Sequence, residues 1–452
     1  MPQKILRIGA GSAWWGDRIE PAQWNAERGA LDYLCFETMA ESTISAAQVR
    51  ARRDPAFPGY DTYLDDRLAA VLPACLAQGT RIISNQGWIN PQGAAERAAW
   101  WCRKLGRTGV RIAAVTGGML GARVLGLADR ILETGAPLAT LGDSIVSAEA
   151  YLGAEPIAAA LAQGAQIVLT GRVADPSLFL APMMHEFGWR ADDWERLGMG
   201  SGIGHLMECG AQVTGGYFVD PGYKDVPEPW NLAFPIAEVA ADGSAVITKL
   251  PDTGGAVDLR TVKEQLFYEV HDPANYITPD VVVDFTTAQL AETGRDRVAV
   301  RQIGGKPRTA TLKVSIGCQE GFVGEDIFFF AGPGALEKAR LAKEILERRY
   351  AMAKLEAEEL RIDFLGVNAI HGALSPEPAS PPYEVAVRVA ARARTREEAA
   401  KIGREIDAMA VSGLASTGKR VPHQERVREV IGVWSALVPR AAVRAEITMI
   451  ES

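Results

Sequence analysis

The chain has 452 residues, 48% apolar and 23% charged, with a formal net charge of -8. Such a length exceeds one ordinary core and suggests two or three domains. An acidic balance with no basic stripe excludes nucleic acid as a main partner, and no apolar run reaches the ~20 residues of a membrane span.

The chain opens on a strand-like run at 4–8, without an apolar leader, so a cytoplasmic location with no membrane partner is expected. Further strands are predicted at 31–36, 81–84, 110–115 and 166–169. Between them, helical periodicity marks 43–53, 63–78, 91–105 and 156–163. Strands alternating with helices in this way indicate βαβ units and an N-terminal parallel sheet flanked by helices, hence an α/β fold.

Near residue 220 the texture changes to β-branched, Pro- and Gly-rich sequence. Strand-like runs follow at 245–249, 281–285, 298–301 and 311–316, then a helix at 336–350. Strands are expected at 362–370 and 383–391, a helix capped by Thr395 at 395–409, and strands at 430–438 and 442–450. The expected organisation is an α/β domain at 1–219, a mixed β-rich region at 220–355, and a small C-terminal α+β domain at 356–452.

In open α/β sheets ligands bind beyond the carboxyl ends of the strands. The loops there carry Trp14, Trp15 and Asp17; Glu41; Asn85, Trp88 and Asn90; and Arg172 and Asp175. All combine small residues with amide, carboxylate, guanidinium or aromatic groups, although Asp17, Asn90 and Asp175 could equally be helix caps. The run Gly9-Ala10-Gly11-Ser12 lacks the third glycine of a dinucleotide fingerprint, because Trp14 stands there, and a P-loop and a GxSxG elbow are absent.

A second cluster holds His205, Glu208 and Cys209, followed by Thr214. His205 and Glu208 share a face if the segment is helical, which suits an acid/base pair. A third cluster, Tyr268 to Asp284, contains Glu269, His271, Asp272, Tyr276 and Asp280. Its carboxylates match no metal spacing, so a divalent metal is the minority reading and no cofactor is expected. The five cysteines (Cys35, Cys75, Cys102, Cys209 and Cys318) form no CxxC pair and read as reduced thiols.

Taken together, WWGDR, LDYLCFETMAE, the NxGxxNP at 85–91, TGRVADPSLFLAP, GHLMECGAQVTGGYFVDPG, KEQLFYEVHDPANYITPDVVVDF, AGPGA and DFLGVNAIHG resemble the acyclic terpene utilisation (AtuA-type) family over nearly the whole chain. The resemblance implies a role in terpenoid catabolism through CoA thioesters. It also marks a departure, because relatives look like they carry an acidic pair where this chain has Gly118-Met119.

The expected function is a lyase- or hydratase-type enzyme acting on a small organic acid or its CoA thioester. His205 and Glu208 would be the acid/base groups, with Asp17 and Glu41 orienting them. Trp14, Trp15, Asn85, Trp88, Asn90, Arg172, Asp175, Thr214 and His271 would bind substrate. The alternatives are a non-catalytic binding subunit of a catabolic complex and a thiol-dependent hydrolase using Cys209. Expected partners are a small-molecule substrate and further copies of the chain, with a small partner subunit as the alternative.

Overall fold

A computed structural model describes residues 4–415, 417–419 and 426–452. In chain order, β1 (Ile5–Ser12), α1 (Glu20–Arg28), β2 (Tyr33–Phe36), α2 (Thr43–Arg53), α3 (Leu64–Gln78), β3 (Arg81–Ser84), α4 (Pro91–Lys104) and β4 (Arg111–Thr116) come first. They are followed by β5 (Ile145–Ala150), α5 (Glu155–Ala162), β6 (Ile167–Thr170), α6 (Asp175–Phe187) and α7 (Trp194–Glu208). Then come β7 (Ile236–Ala240), β8 (Ala245–Thr248), α8 (Leu259–Phe267), β9 (Tyr276–Ile277), β10 (Val282–Asp284), β11 (Gln289–Gly294), β12 (Arg297–Arg301), β13 (Gly304–Lys306) and β14 (Thr311–Ala331). The last elements are α9 (Ala335–Met352), β15 (Glu359–Leu365), β16 (Glu384–Ala393), α10 (Arg396–Ser412), β17 (Gly418–Lys419), β18 (Val427–Pro439) and β19 (Glu446–Glu451).

The fold is mixed α/β. Its main sheet has the order β11-β12-β8-β7-β1-β2-β3-β6-β4-β19. Strands β1, β2, β3, β6 and β4 pair in parallel, so their carboxyl ends share one edge. Residues of β2 and β6 are buried throughout, as expected of parallel strands covered on both faces. That cover is why YLCF and IVLT read as unbroken apolar runs rather than alternating ones.

The chain divides into two compact units, one of residues up to Gly317 together with Val433–Ser452, the other Cys318–Gly432. The boundaries expected at 219/220 and 355/356 fall inside these units. Strands β7, β8, β12 and β11 extend the same sheet as β1 by antiparallel pairing, while β9, β10 and β13 form a separate three-stranded sheet. Strand β19, expected in a C-terminal domain, instead runs antiparallel to β4, with Ile447 opposite Val115 and Met449 opposite Ala113. The physical reason is burial, since Ile447, Met449 and Ile450 pack against the main core.

The second unit is an antiparallel sheet in which β16 lies between β15 and β14. Helices α9 and α10 supply Leu336, Leu346, Tyr350, Ile402 and Ile406 to a core shared with Phe328, Phe330, Val387 and Val389. Thr395 caps α10 as expected, its hydroxyl accepting from the Glu398 N–H at 3.2 Å.

Candidate active site

The helix that matters most for the site is the one least expected from propensity. Segment α7 carries Gly198, Gly200, Gly202 and Gly204, and each interior glycine costs helix stability. Close packing compensates for it. A Cβ at Gly198 would sit 2.4 Å from the Gly304 carbonyl oxygen, and one at Gly204 would sit 2.6 Å from that of Pro176. The second approach seats the end of α7, with His205 and Glu208, against the start of α6, with Asp175. Gly204→Ala is therefore expected to destabilise the fold by about 1–3 kcal/mol through overpacking, read as a lower urea midpoint. An unchanged midpoint would show that α7 is free to shift.

A cavity of about 280 Å³ lies here, lined by Glu41, Tyr151, Asp175, Glu208, Glu269, Tyr276 and Lys313 among others. The loop after β2 brings Glu41, the end of β5 brings Tyr151, and the first residue of α6 is Asp175. Glu269 comes from the segment between α8 and β9, where its backbone is left-handed at φ 58°. A non-glycine residue held in that region is sparsely populated and is often found at functional sites.

Arg172 sits behind the cavity as the hub of its electrostatics. Its side chain is 2% exposed, while that of Asp175 is 32% exposed, so the carboxylate reaches the cavity and the guanidinium does not. Arg172 pairs with Asp175 through Nη2. Nη1 donates to the Met39 carbonyl at 3.0 Å, and Nε to its neighbour Val173 at 3.0 Å. Its guanidinium carbon lies over the Tyr151 ring, 4.6 Å from the centroid. Burial works against the Arg172 charge, and the surrounding acids, Asp175 foremost, more than reverse that effect.

Around this one cation the acids are pushed apart in acidity. Burial raises Asp175 to about 6; Arg172 opposes the rise, and Glu41 and Glu269 add to it. Glu208 is held well above the usual carboxylate range by burial and by the nearby Asp175 and Glu269 charges. Glu37 is likewise raised by burial and by Asp175. It accepts hydrogen bonds from the Met39 N–H and from Asn85 Nδ2 at 3.1 Å.

His205 Nδ1 lies 3.0 Å from Glu208 Oε1. Burial lowers the imidazole to about 4, so at neutral pH the ring is uncharged. Its Nε2 and Glu208 Oε2 have no protein partner, and Tyr276 and Phe285 pack against the ring with centroids 5.2 and 5.5 Å away. The economical tautomer has Nδ1–H donating to Oε1. It leaves an unmet acceptor, rather than an unmet donor, among the aromatic rings, and it leaves the Glu208 proton on Oε2.

Glu149, on β5, is buried with Oε2 unpartnered. Burial raises its carboxyl to about 8, against the opposing effect of Arg172. A raised carboxyl binds its proton more tightly folded than unfolded, so its contribution to stability is fully present below the ordinary carboxylate range. That contribution is lost as pH rises through about 8. Glu149→Gln is expected to flatten this loss, so the variant should unfold at a higher temperature than the parent at pH 9 but not at pH 5. Parallel pH curves for the two proteins would contradict the assignment.

The other expected site residues lie elsewhere. Asp17 accepts from the Ala13 and Arg18 N–H groups at 2.9 and 2.8 Å and so ties its own loop. Asn85 is fully buried, spanning Thr38 and Glu37. Trp88 packs with Met39, Ile44, Ala47 and Phe57. Asn90 caps α4, accepting from the Gly93 N–H at 2.9 Å. Thr214 donates to the Ala233 carbonyl at 2.6 Å, and His271 is exposed between α8 and β9.

Trp14 and Trp15 are exposed, with Trp15 stacked on Tyr63. Buried Arg67 holds their loop by donating to the Trp15 carbonyl at 2.7 Å. Tyr151, Lys313 and Glu149 were not singled out from sequence, since no local motif surrounds them. Glu269 stood in the third cluster, but without a role in the expected site. Among the described residues, no group of three or more His, Cys, Asp or Glu is arranged to hold a metal ion.

Fold and cavity define an α/β protein whose strand-end cleft pairs carboxyl groups of separated acidity. The chain belongs to the acyclic terpene utilisation family, since the AtuA family model matches residues 6–449. No curated protein and no solved structure matches it. Among the described residues, no helix is long and apolar enough to cross a membrane.

Proposed function

We propose that this protein is a catabolic enzyme of lyase or hydratase type, acting on a small organic acid or its CoA thioester. The observation that carries the reading is one cavity lined by both Asp175, whose carboxyl burial raises to about 6, and Glu208, whose carboxyl is held well above the usual range. Environments that push two titratable groups apart assign base and acid.

In the dehydration direction Asp175 takes a proton from the carbon next to the substrate carbonyl. The electron pair left behind forms the carbon–carbon double bond, and the β-hydroxyl leaves with the Glu208 proton as water. A proton passed from Asp175 to Glu208 through solvent resets the site. His205 is a positioning residue here, fixing which Glu208 oxygen carries the proton. The thiol reading has less support, because burial and Glu208 push Cys209 up and only the thiolate is nucleophilic.

The test is a panel of hydroxyacyl and enoyl acids and thioesters, assayed for turnover and for exchange of the α-proton in D₂O. Exchange needs the base without needing a leaving group. Turnover and exchange unaffected in both Asp175→Asn and Glu208→Gln would sink the assignment.

A further inference from the structure

The charge inventory of the cavity says which form of substrate it receives. Its lining includes the carboxyls of Glu41, Asp175, Glu208 and Glu269, and among the described residues Lys313 is the one lysine or arginine in that lining. Arg172, the natural clamp for a carboxylate, is closed off behind the wall with its nitrogens committed to Asp175, Met39 and Val173. The Lys313 ammonium lies over the Tyr151 ring, 5.3 Å from the centroid. A free carboxylate entering here would meet several acids and no open guanidinium.

Neutral O–H groups, by contrast, also line it, among them those of Tyr151, Glu208 and Tyr276. Tyr151 OH has no protein partner, and burial raises its phenol to about 12, so it keeps its proton at neutral pH. Glu208 Oε2 is likewise unpartnered. The hydroxyls of Thr278 and Thr309, also in the lining, are already donated to the Val281 and Thr311 carbonyls. Neutral donors suit an uncharged carbonyl oxygen on which negative charge develops during α-proton removal.

We infer that the cavity takes its substrate as an uncharged acyl derivative, an ester or thioester and not the free acid, with the Tyr151 hydroxyl as a donor to the carbonyl oxygen. This rests on the proton-transfer reading above, but its test does not require turnover. Calorimetric binding at pH 8 compares neutral N-acetylcysteamine thioesters of short and medium 2-enoyl acids with the matching free acids and amine analogues. It uses the Asp175→Asn and Glu208→Gln proteins.

The thioester is expected to bind about tenfold or more tightly than the acid, since like charges placed together are strongly disfavoured. Adding Tyr151→Phe should weaken the thioester about threefold to tenfold, the range for one neutral hydrogen bond, and leave the acid unchanged. Acid or amine binding as tight as the thioester, or no thioester binding, overturns the inference. An unchanged affinity in Tyr151→Phe overturns the donor role. Thioester-selective binding without turnover in the parent protein would instead count against the lyase reading alone.

Discussion

Asp175→Asn is expected to lower turnover by about 10²–10⁴-fold, the usual worth of a positioned general base, with the fold intact by circular dichroism. The amide keeps the shape of the side chain and can still accept from Arg172, but it cannot take a proton. In the parent protein the pH profile should rise through about 6, because the base works only when deprotonated and its acidity sits there. That limb should vanish in the variant. Glu208→Gln should remove the other half of the pair, lowering turnover without moving the acid limb. Retention of that limb in Asp175→Asn would transfer the role of base to another residue.

Arg172→Met should have the largest effect on stability, about 3–5 kcal/mol, because removing one partner of a buried ion pair leaves the other charge uncompensated. Arg172 also accounts for much of what restrains its acids, since it pulls Glu37, Glu149 and Asp175 all downward. Without it the Asp175 carboxyl should rise further, and the acid limb of any residual activity should move to higher pH. Urea unfolding measures the first effect and the pH–rate profile the second. A stability loss below about 1 kcal/mol would show the hub to be incidental.

Much of the framework was legible because its causes are local. The apolar runs of β2 and β6 and the caps of α4 and α10 follow from burial and backbone hydrogen bonding within a few residues. The helices at Thr43–Arg53 and Leu64–Gln78 announce themselves by periodicity. Strand β5 does not, since it pairs with β14 rather than with a neighbour in sequence. Helix α7 is nearly invisible to propensity, for its glycines make sense only once Pro176 and Gly304 are known to press against it.

The site divides the same way. Glu41, Asp175 and Glu208 were readable as polar groups at strand ends or beside a histidine, and all three reach the cavity. Arg172 was readable as a guanidinium, but nothing in the sequence shows that Met39 and Val173 occupy its donors and remove it from the substrate. Asn85, Trp88 and Asn90 looked similar to Asp175 in sequence, yet Asn85 and Trp88 brace the segment after β2 and Asn90 caps α4. The difference lies in which hydrogen bonds each makes, and those depend on distant segments.

The central claim is that Asp175 and Glu208 share a cavity in opposite protonation states at neutral pH. Infrared difference spectroscopy of the parent protein against Glu208→Gln and Asp175→Asn tests it without any substrate. At pH 7 the Glu208 difference should contain a protonated carboxylic acid band, and the Asp175 difference should change from acid to carboxylate as pH passes about 6. A carboxylate band from Glu208 at pH 7, or an Asp175 signal already ionised at pH 4, would contradict the account.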